Sequence, residues 1–139
     1  MIKSIEFHHL GLAVKHPKKA LNVLSALGYK INEPIFDPLQ KVNVQMCKSS
    51  KMPDIELVYA NKNTKSPIDN ILKENTELAY HYCYSTNNIN KSINEFKKND
   101  INPLCISKPK NAILFNNNKV GFYYIFGYGI IELLEIQIK

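Results

Sequence analysis

Hydrophobic and polar positions alternate along residues 5 to 14. Leu10, Leu12 and Val14 fall on one face, and Phe7, His9, Gly11 and Ala13 fall on the other. A period of two predicts a strand with one face on a core. The second face carries a histidine and then small residues, which suits a cleft that leaves room for something. His16-Pro17 makes a turn, and Pro17 is well placed near a helix start. From Lys18 to Leu27 the apolar residues Ala20, Leu21, Val23, Leu24 and Leu27 recur at helical spacing, and Gly28 supplies the stop. Strands are expected at Tyr29–Ile35, Lys41–Cys47 and Ile55–Tyr59, with turns at Asp37-Pro38 and Met52-Pro53-Asp54.

A polar stretch from Asn61 to Ser66, then Pro67, leads into an expected short helix at Ile68–Glu74. The same order follows again. A strand is expected at Ala79–Ser85, an amphipathic helix at Ile89–Lys98 and a strand at Ile101–Ile106. A loop from Ser107 to Lys119 leads to strands at Val120–Phe126 and Ile130–Ile138, joined by the turn Gly127-Tyr128-Gly129. His81 follows His9 by 72 positions, and at that spacing Leu24 matches Phe96 and Tyr29 matches Ile101. Glu132 follows Glu56 by 76 positions, a drift that insertions in loops produce. The expected architecture is α+β, two tandem β-α-β-β-β modules in one domain, 1–139. Module one covers about 4–62, the linking helix about 66–75 and module two about 77–138.

Composition narrows the class. At 139 residues and 45% hydrophobic, the chain can bury a core as a single domain. No apolar run is long enough to span a bilayer, and the chain enters a strand at once without a leader pattern. A cytoplasmic protein with no membrane partner is expected. Cys47, Cys83 and Cys105 form no CxxC pair, and their odd count argues against a disulfide framework. They read as three small buried or semi-buried thiols. The net charge of +6 comes from lysines in short groups with no aromatic interleaving, so no nucleic-acid partner is expected. Such a charge can draw a small anionic substrate into a positive cleft. The chain has no arginine, so an anion would be met by lysine or backbone N–H groups rather than by a guanidinium fork.

Two acids interrupt apolar strands: Glu56 in Ile55-Glu56-Leu57-Val58 and Glu132 in Ile131-Glu132-Leu133-Leu134. Carboxylates are seldom buried without a partner. Taken singly, each could face solvent on a one-sided strand, and His9 or His81 could be an ordinary structural histidine. His8 and His16 read as surface or turn histidines. At equivalent places in two repeats, however, His9, Glu56, His81 and Glu132 are expected to meet on one divalent metal. Mixed nitrogen and oxygen donors suit nickel, cobalt, zinc, manganese or iron(II). Four protein ligands leave positions for water or substrate oxygens, as in a Lewis-acid site rather than a closed structural one.

These stretches, with Ser66-Pro67-Ile68 and His81-Tyr82-Cys83-Tyr84, resemble the vicinal oxygen chelate superfamily over roughly residues 5 to 136. That superfamily includes glyoxalase I, methylmalonyl-CoA epimerase, extradiol dioxygenases and bleomycin- or fosfomycin-resistance proteins. The resemblance implies a curved, half-barrel mixed sheet around a metal cleft, with His9, Glu56, His81 and Glu132 as ligands. It implies a glyoxalase- or epimerase-type isomerase or lyase that moves a proton next to a carbonyl, with Glu132 and Glu56 as catalytic residues. It also implies a homodimer and a carbonyl-containing or anionic substrate. The alternative within the same fold is a non-catalytic binding or resistance protein, and a third reading is a dioxygenase using two histidines and one glutamate on iron(II). Methylmalonyl-CoA epimerases carry a further glutamate on the third strand. The matching stretch here, Val42-Asn43-Val44-Gln45-Met46, has no acid.

Overall fold

The structure is a computed structural model that describes residues 1–137. Ile138, the expected end of the last strand and of module two, lies outside the described residues, as does Lys139. The described elements run β1 (Ile5–Val14), α1 (Pro17–Ala26), β2 (Lys30–Ile31), β3 (Ile35–Asp37), β4 (Val42–Lys48), β5 (Ile55–Tyr59), β6 (Glu77–Thr86), α2 (Ile89–Lys98), β7 (Leu104–Ala112), β8 (Asn118–Ile125) and β9 (Gly129–Glu135). The class is α+β, with the β-α-β-β-β order used twice. Among the described residues, no helix is long and apolar enough to cross a membrane.

The chain divides into two compact units. One holds His9–Tyr80, and the other holds His81 onward together with Met1–His8. In the first unit β5 runs parallel to β1, β4 runs antiparallel to β5, and β2 and β3 both pair with β4. The expected strand at Tyr29–Ile35 is broken into β2 and β3 around Pro34, which has no N–H to give to a ladder. α1 carries Pro17 in its first turn and buries Leu24 against Val14, Tyr29, Cys47 and Leu57. Burying these apolar side chains holds the helix on the sheet; ten residues of propensity alone would not.

In the second unit β6 and β9 are parallel, and β8 pairs antiparallel with both β9 and β7. α2 begins at an Asn88 cap whose side chain accepts the Lys91 N–H at 2.8 Å. Its Ile89 and Phe96 pack on Tyr123, Ile131 and Leu133, with Ile2 and Ile5 of the N-terminal segment alongside. On the opposite face Cys83, Ala112, Val120 and Leu134 form a second cluster, with Phe115 and Phe122 against it.

Two expectations are corrected. The expected linking helix is a chain of turns. The Asp69 carboxylate accepts the Ser66 N–H at 2.9 Å, and a single helical-type bond, Leu72 N–H to the Ile68 carbonyl, follows. Local side-chain bonds from Ser and Asp compete with helix in a segment too short to nucleate one. The expected loop from Ser107 to Lys119 is largely strand. β7 continues to Ala112 with register shifts on either side of Ser107, and a single 3-10 turn follows at Ile113–Phe115. Within its unit β7 pairs only with β8 among the described residues, so Pro109 sits where an unpaired N–H is not required. Asn116 and Asn117 then take left-handed backbone, φ 55° and 60°, which asparagine tolerates better than most residues.

Candidate metal centre

In the first unit Gly11 stands opposite Glu56 in the parallel ladder of β1 and β5. Alternation therefore sets His9, Gly11 and Ala13 on the same face as Glu56 and Val58, while Leu57 points to α1. Gly11 has no side chain to fill the space beside the glutamate. The result is a buried pair: His9 Nε2 lies 3.6 Å from a Glu56 carboxylate oxygen, with the side chains 0% and 5% exposed.

The second unit repeats this arrangement at the same register. Cys83 stands opposite Glu132 in the parallel ladder of β6 and β9, and His81 precedes Cys83 by two residues as His9 precedes Gly11. His81 Nε2 lies 3.6 Å from a Glu132 carboxylate oxygen, and both side chains are buried. The antiparallel neighbours also correspond. Met46 faces Glu56 on β4 and Phe122 faces Glu132 on β8, each 76 positions from its counterpart. The Phe122 ring meets the His81 imidazole edge to face at 5.4 Å, which fixes the ring of that histidine.

The donor chemistry fits a divalent ion. Nitrogen and oxygen ligands sit roughly 2.1 Å from zinc. Two such atoms at ordinary tetrahedral or octahedral angles are about 3.0–3.4 Å apart. The 3.6 Å of each pair is close to that spacing. Of the four expected ligands, His9 is brought together with Glu56 and His81 with Glu132, each pair within its own unit.

Several neighbouring residues take other parts. His8 is half-buried rather than a surface residue, and its ring stands edge to face with Phe115 at 5.6 Å. His16 is exposed at the start of α1 and makes no side-chain cap bond. Cys47 and Cys83 are buried, whereas Cys105 is exposed on β7, against the expectation of a buried or semi-buried thiol; none of the three is in a disulfide. On β4 the residues sharing the face of Glu56 are Val42, Val44 and Met46, because Met46 pairs with Glu56 and Val44 with Val58. Gln45 points to the other face. It donates to the Asn32 carbonyl at 2.9 Å and accepts the Tyr59 hydroxyl at 3.2 Å. β4 thus brings no acid to the side of Glu56. Phe122 was not singled out from sequence, since an aromatic residue in a strand is ordinary; its only signal is the 76-position match to Met46.

The profile of the Glyoxalase/Bleomycin resistance protein/Dioxygenase superfamily matches residues 8–122. The chain belongs to this superfamily. It is the vicinal oxygen chelate group that the motifs resemble. Similar solved structures include a hypothetical protein from Bacillus halodurans C-125, 23% identical over 99% of this chain and 98% of that one, with a TM-score of 0.79. Methylmalonyl-CoA epimerase from Mycobacterium tuberculosis is 14% identical over 92% of this chain and 85% of that one, TM-score 0.73. A variant of the Streptomyces coelicolor methylmalonyl-CoA epimerase, solved with 2-nitronate-propionyl-CoA, is 15% identical over 95% of this chain and 97% of that one, TM-score 0.70. At these identities the likeness establishes the superfamily fold over nearly the full length. No curated protein matches the sequence significantly.

Proposed function

We propose that His9, Glu56, His81 and Glu132 hold one divalent metal, and that the chain is an isomerase or lyase that moves a proton next to a substrate carbonyl. The observation that carries this reading is repetition. A buried imidazole and a buried carboxylate stand 3.6 Å apart at the same register in each half. A single pair is a common way to satisfy a buried acid. Two pairs at equivalent positions, in a superfamily whose enzymes often bind a divalent metal, favour a shared ligand set. Nickel, cobalt, zinc, manganese and iron(II) all accept two imidazoles and two carboxylates.

Such an ion supplies Lewis acidity toward the oxygen atoms of a substrate. The remaining work belongs to the chain. Glu132 accepts the α-proton at a carboxylate oxygen, and Glu56 is its partner for the return step. The absence of an acid on β4 beside Glu56 supports a glyoxalase-type division of labour, in which Glu56 fills the second carboxylate role. The net charge of +6 favours an anionic substrate, and acyl-CoA esters belong in the screen because similar structures are methylmalonyl-CoA epimerases. A second copy of the chain is part of this reading; sedimentation at micromolar concentration gives a dimer if it is right and a 16.0 kDa species if it is not.

The decisive experiment is elemental analysis of the purified protein beside His9→Ala and Glu132→Ala. About one divalent metal per chain, lost in both variants, supports the shared site. It then justifies assays with hemithioacetals of α-keto aldehydes and with acyl-CoA epimers. A wild type that takes up no metal after reconstitution overturns the reading and leaves a non-catalytic binding protein.

A further inference from the structure

A cavity of about 850 Å³ opens in the His9–Tyr80 unit, away from the His9–Glu56 pair. It lies beyond the carboxyl ends of β1 and β5, where Val14-Lys15 and Tyr59-Ala60 leave the sheet, and the turns through Leu72 and Lys73 wall it. Tyr59 is three residues past Glu56 on β5, so it points to the opposite face of the strand. Val14 and Tyr59 belong to the cluster under α1. The cavity is therefore separate from the face that carries the proposed metal ligands.

Its chemistry is one-sided. Lys15, Lys62 and Lys73 all border it, and all are exposed. Among the described residues none of the three has an ion-pair partner. One acid, Asp69, shares the lining and accepts the Ser66 N–H at 2.9 Å through one carboxylate oxygen, so the lysines outnumber it three to one. Pro17 brings the start of α1 to the same cavity, and that helix has no acid in its first turn. Between the lysines, Val14, Tyr59 and Leu72 supply apolar surface. The volume lies within the range of small-molecule pockets, roughly 300–1,000 Å³.

We infer that this cavity is a second ligand site, for a phosphate-bearing organic molecule whose phosphate lies among Lys15, Lys62 and Lys73 and whose flat apolar body lies on Tyr59 and Leu72. Phosphate is preferred over carboxylate because lysine acts as a compact point charge and several can surround one multiply charged group. A planar carboxylate is best answered by an arginine fork, which this chain cannot make. The site does not depend on the metal reading, and metal-free protein serves to test it.

The test is calorimetric titration of the full chain with inorganic phosphate, pyrophosphate and a nucleoside diphosphate. The nucleoside diphosphate should bind best, pyrophosphate next and phosphate least. Combining Lys15→Gln, Lys62→Gln and Lys73→Gln should weaken pyrophosphate by at least about tenfold, with an unchanged circular dichroism spectrum. Lys108→Gln with Lys110→Gln, on β7, should leave binding as in the wild type. Tyr59→Leu should weaken the nucleoside diphosphate more than pyrophosphate. Absence of saturable binding at millimolar ligand overturns the proposal. Equal losses in the triple variant and in the β7 control also overturn it, because binding would then be diffuse attraction to a basic protein.

Discussion

Glu132 is a carboxylate with 1% of its surface exposed, in a strand whose neighbours are isoleucine and leucine. That mismatch between residue and strand was readable from sequence, as was the same mismatch at Glu56. Their pairing with His9 and His81 was readable only through the repeat. Glu132→Gln keeps shape and volume but removes the base; a loss of about 100-fold or more in turnover with an unchanged thermal transition is expected. Near-normal turnover would remove Glu132 from the proton-transfer role. The thiols give a second prediction. Burial pushes the Cys47 thiol up to about 11, so at pH 8 it is protonated as well as inaccessible. Cys83 is equally buried and Cys105 is exposed. A thiol reagent at pH 8 should therefore modify Cys105 at once, and the other two only after unfolding. What sequence could not provide at this scale was orientation. Gln45 and Met46 are adjacent and both buried, and only the pairing register says which of them shares the side of Glu56.

Among the elements, α2 was legible to the residue. Asn88 caps it, and Ile89, Ile93 and Phe96 mark its apolar face. Asn88→Ala should cost about 1 kcal/mol in urea unfolding. The linking segment misled because its apolar residues have helical spacing, whereas Ser66 and Asp69 spend their polar groups on the turn. β7 misled for the opposite reason: an edge strand with exposed lysines and a proline has the composition of a loop. Glu95 of α2 also ties down the N-terminal segment. It accepts the Lys3 N–H at 2.9 Å and the Ser4 N–H at 3.3 Å. These bonds, that from Lys3 first, hold its carboxyl below the usual value. Because the folded value is the lower one, the tie is fully present above the ordinary carboxylate range and is lost as the pH falls through the lowered value. Nuclear magnetic resonance should find Glu95 titrating below the usual glutamate value, and Glu95→Gln should abolish the acid-induced loss of protection of the Lys3 and Ser4 amides. An unshifted Glu95 titration would contradict this.

At the scale of the whole molecule, the tandem order was legible because the apolar periods recur after 72 to 76 positions. Membership of the compact units was not. Residues 1 to 8 include the start of the first module in sequence, yet they belong with the unit built from His81 onward, where Ile2 and Ile5 pack beside Phe96 and Ile131. A periodic pattern says that a strand has an apolar face and does not say which core receives it. Removal of Met1–Ser4 should therefore lower the protection of amides in α2 and β9 more than in α1, measured by hydrogen exchange. The matched registers have a practical consequence. A substitution at His9, Gly11, Met46 or Glu56 has a counterpart 72 or 76 positions away, so at these positions the molecule carries its own replicate. His9→Ala and His81→Ala put one question to two copies. Identical losses would mean that the two halves do the same work, and unequal losses would show which half carries more of it.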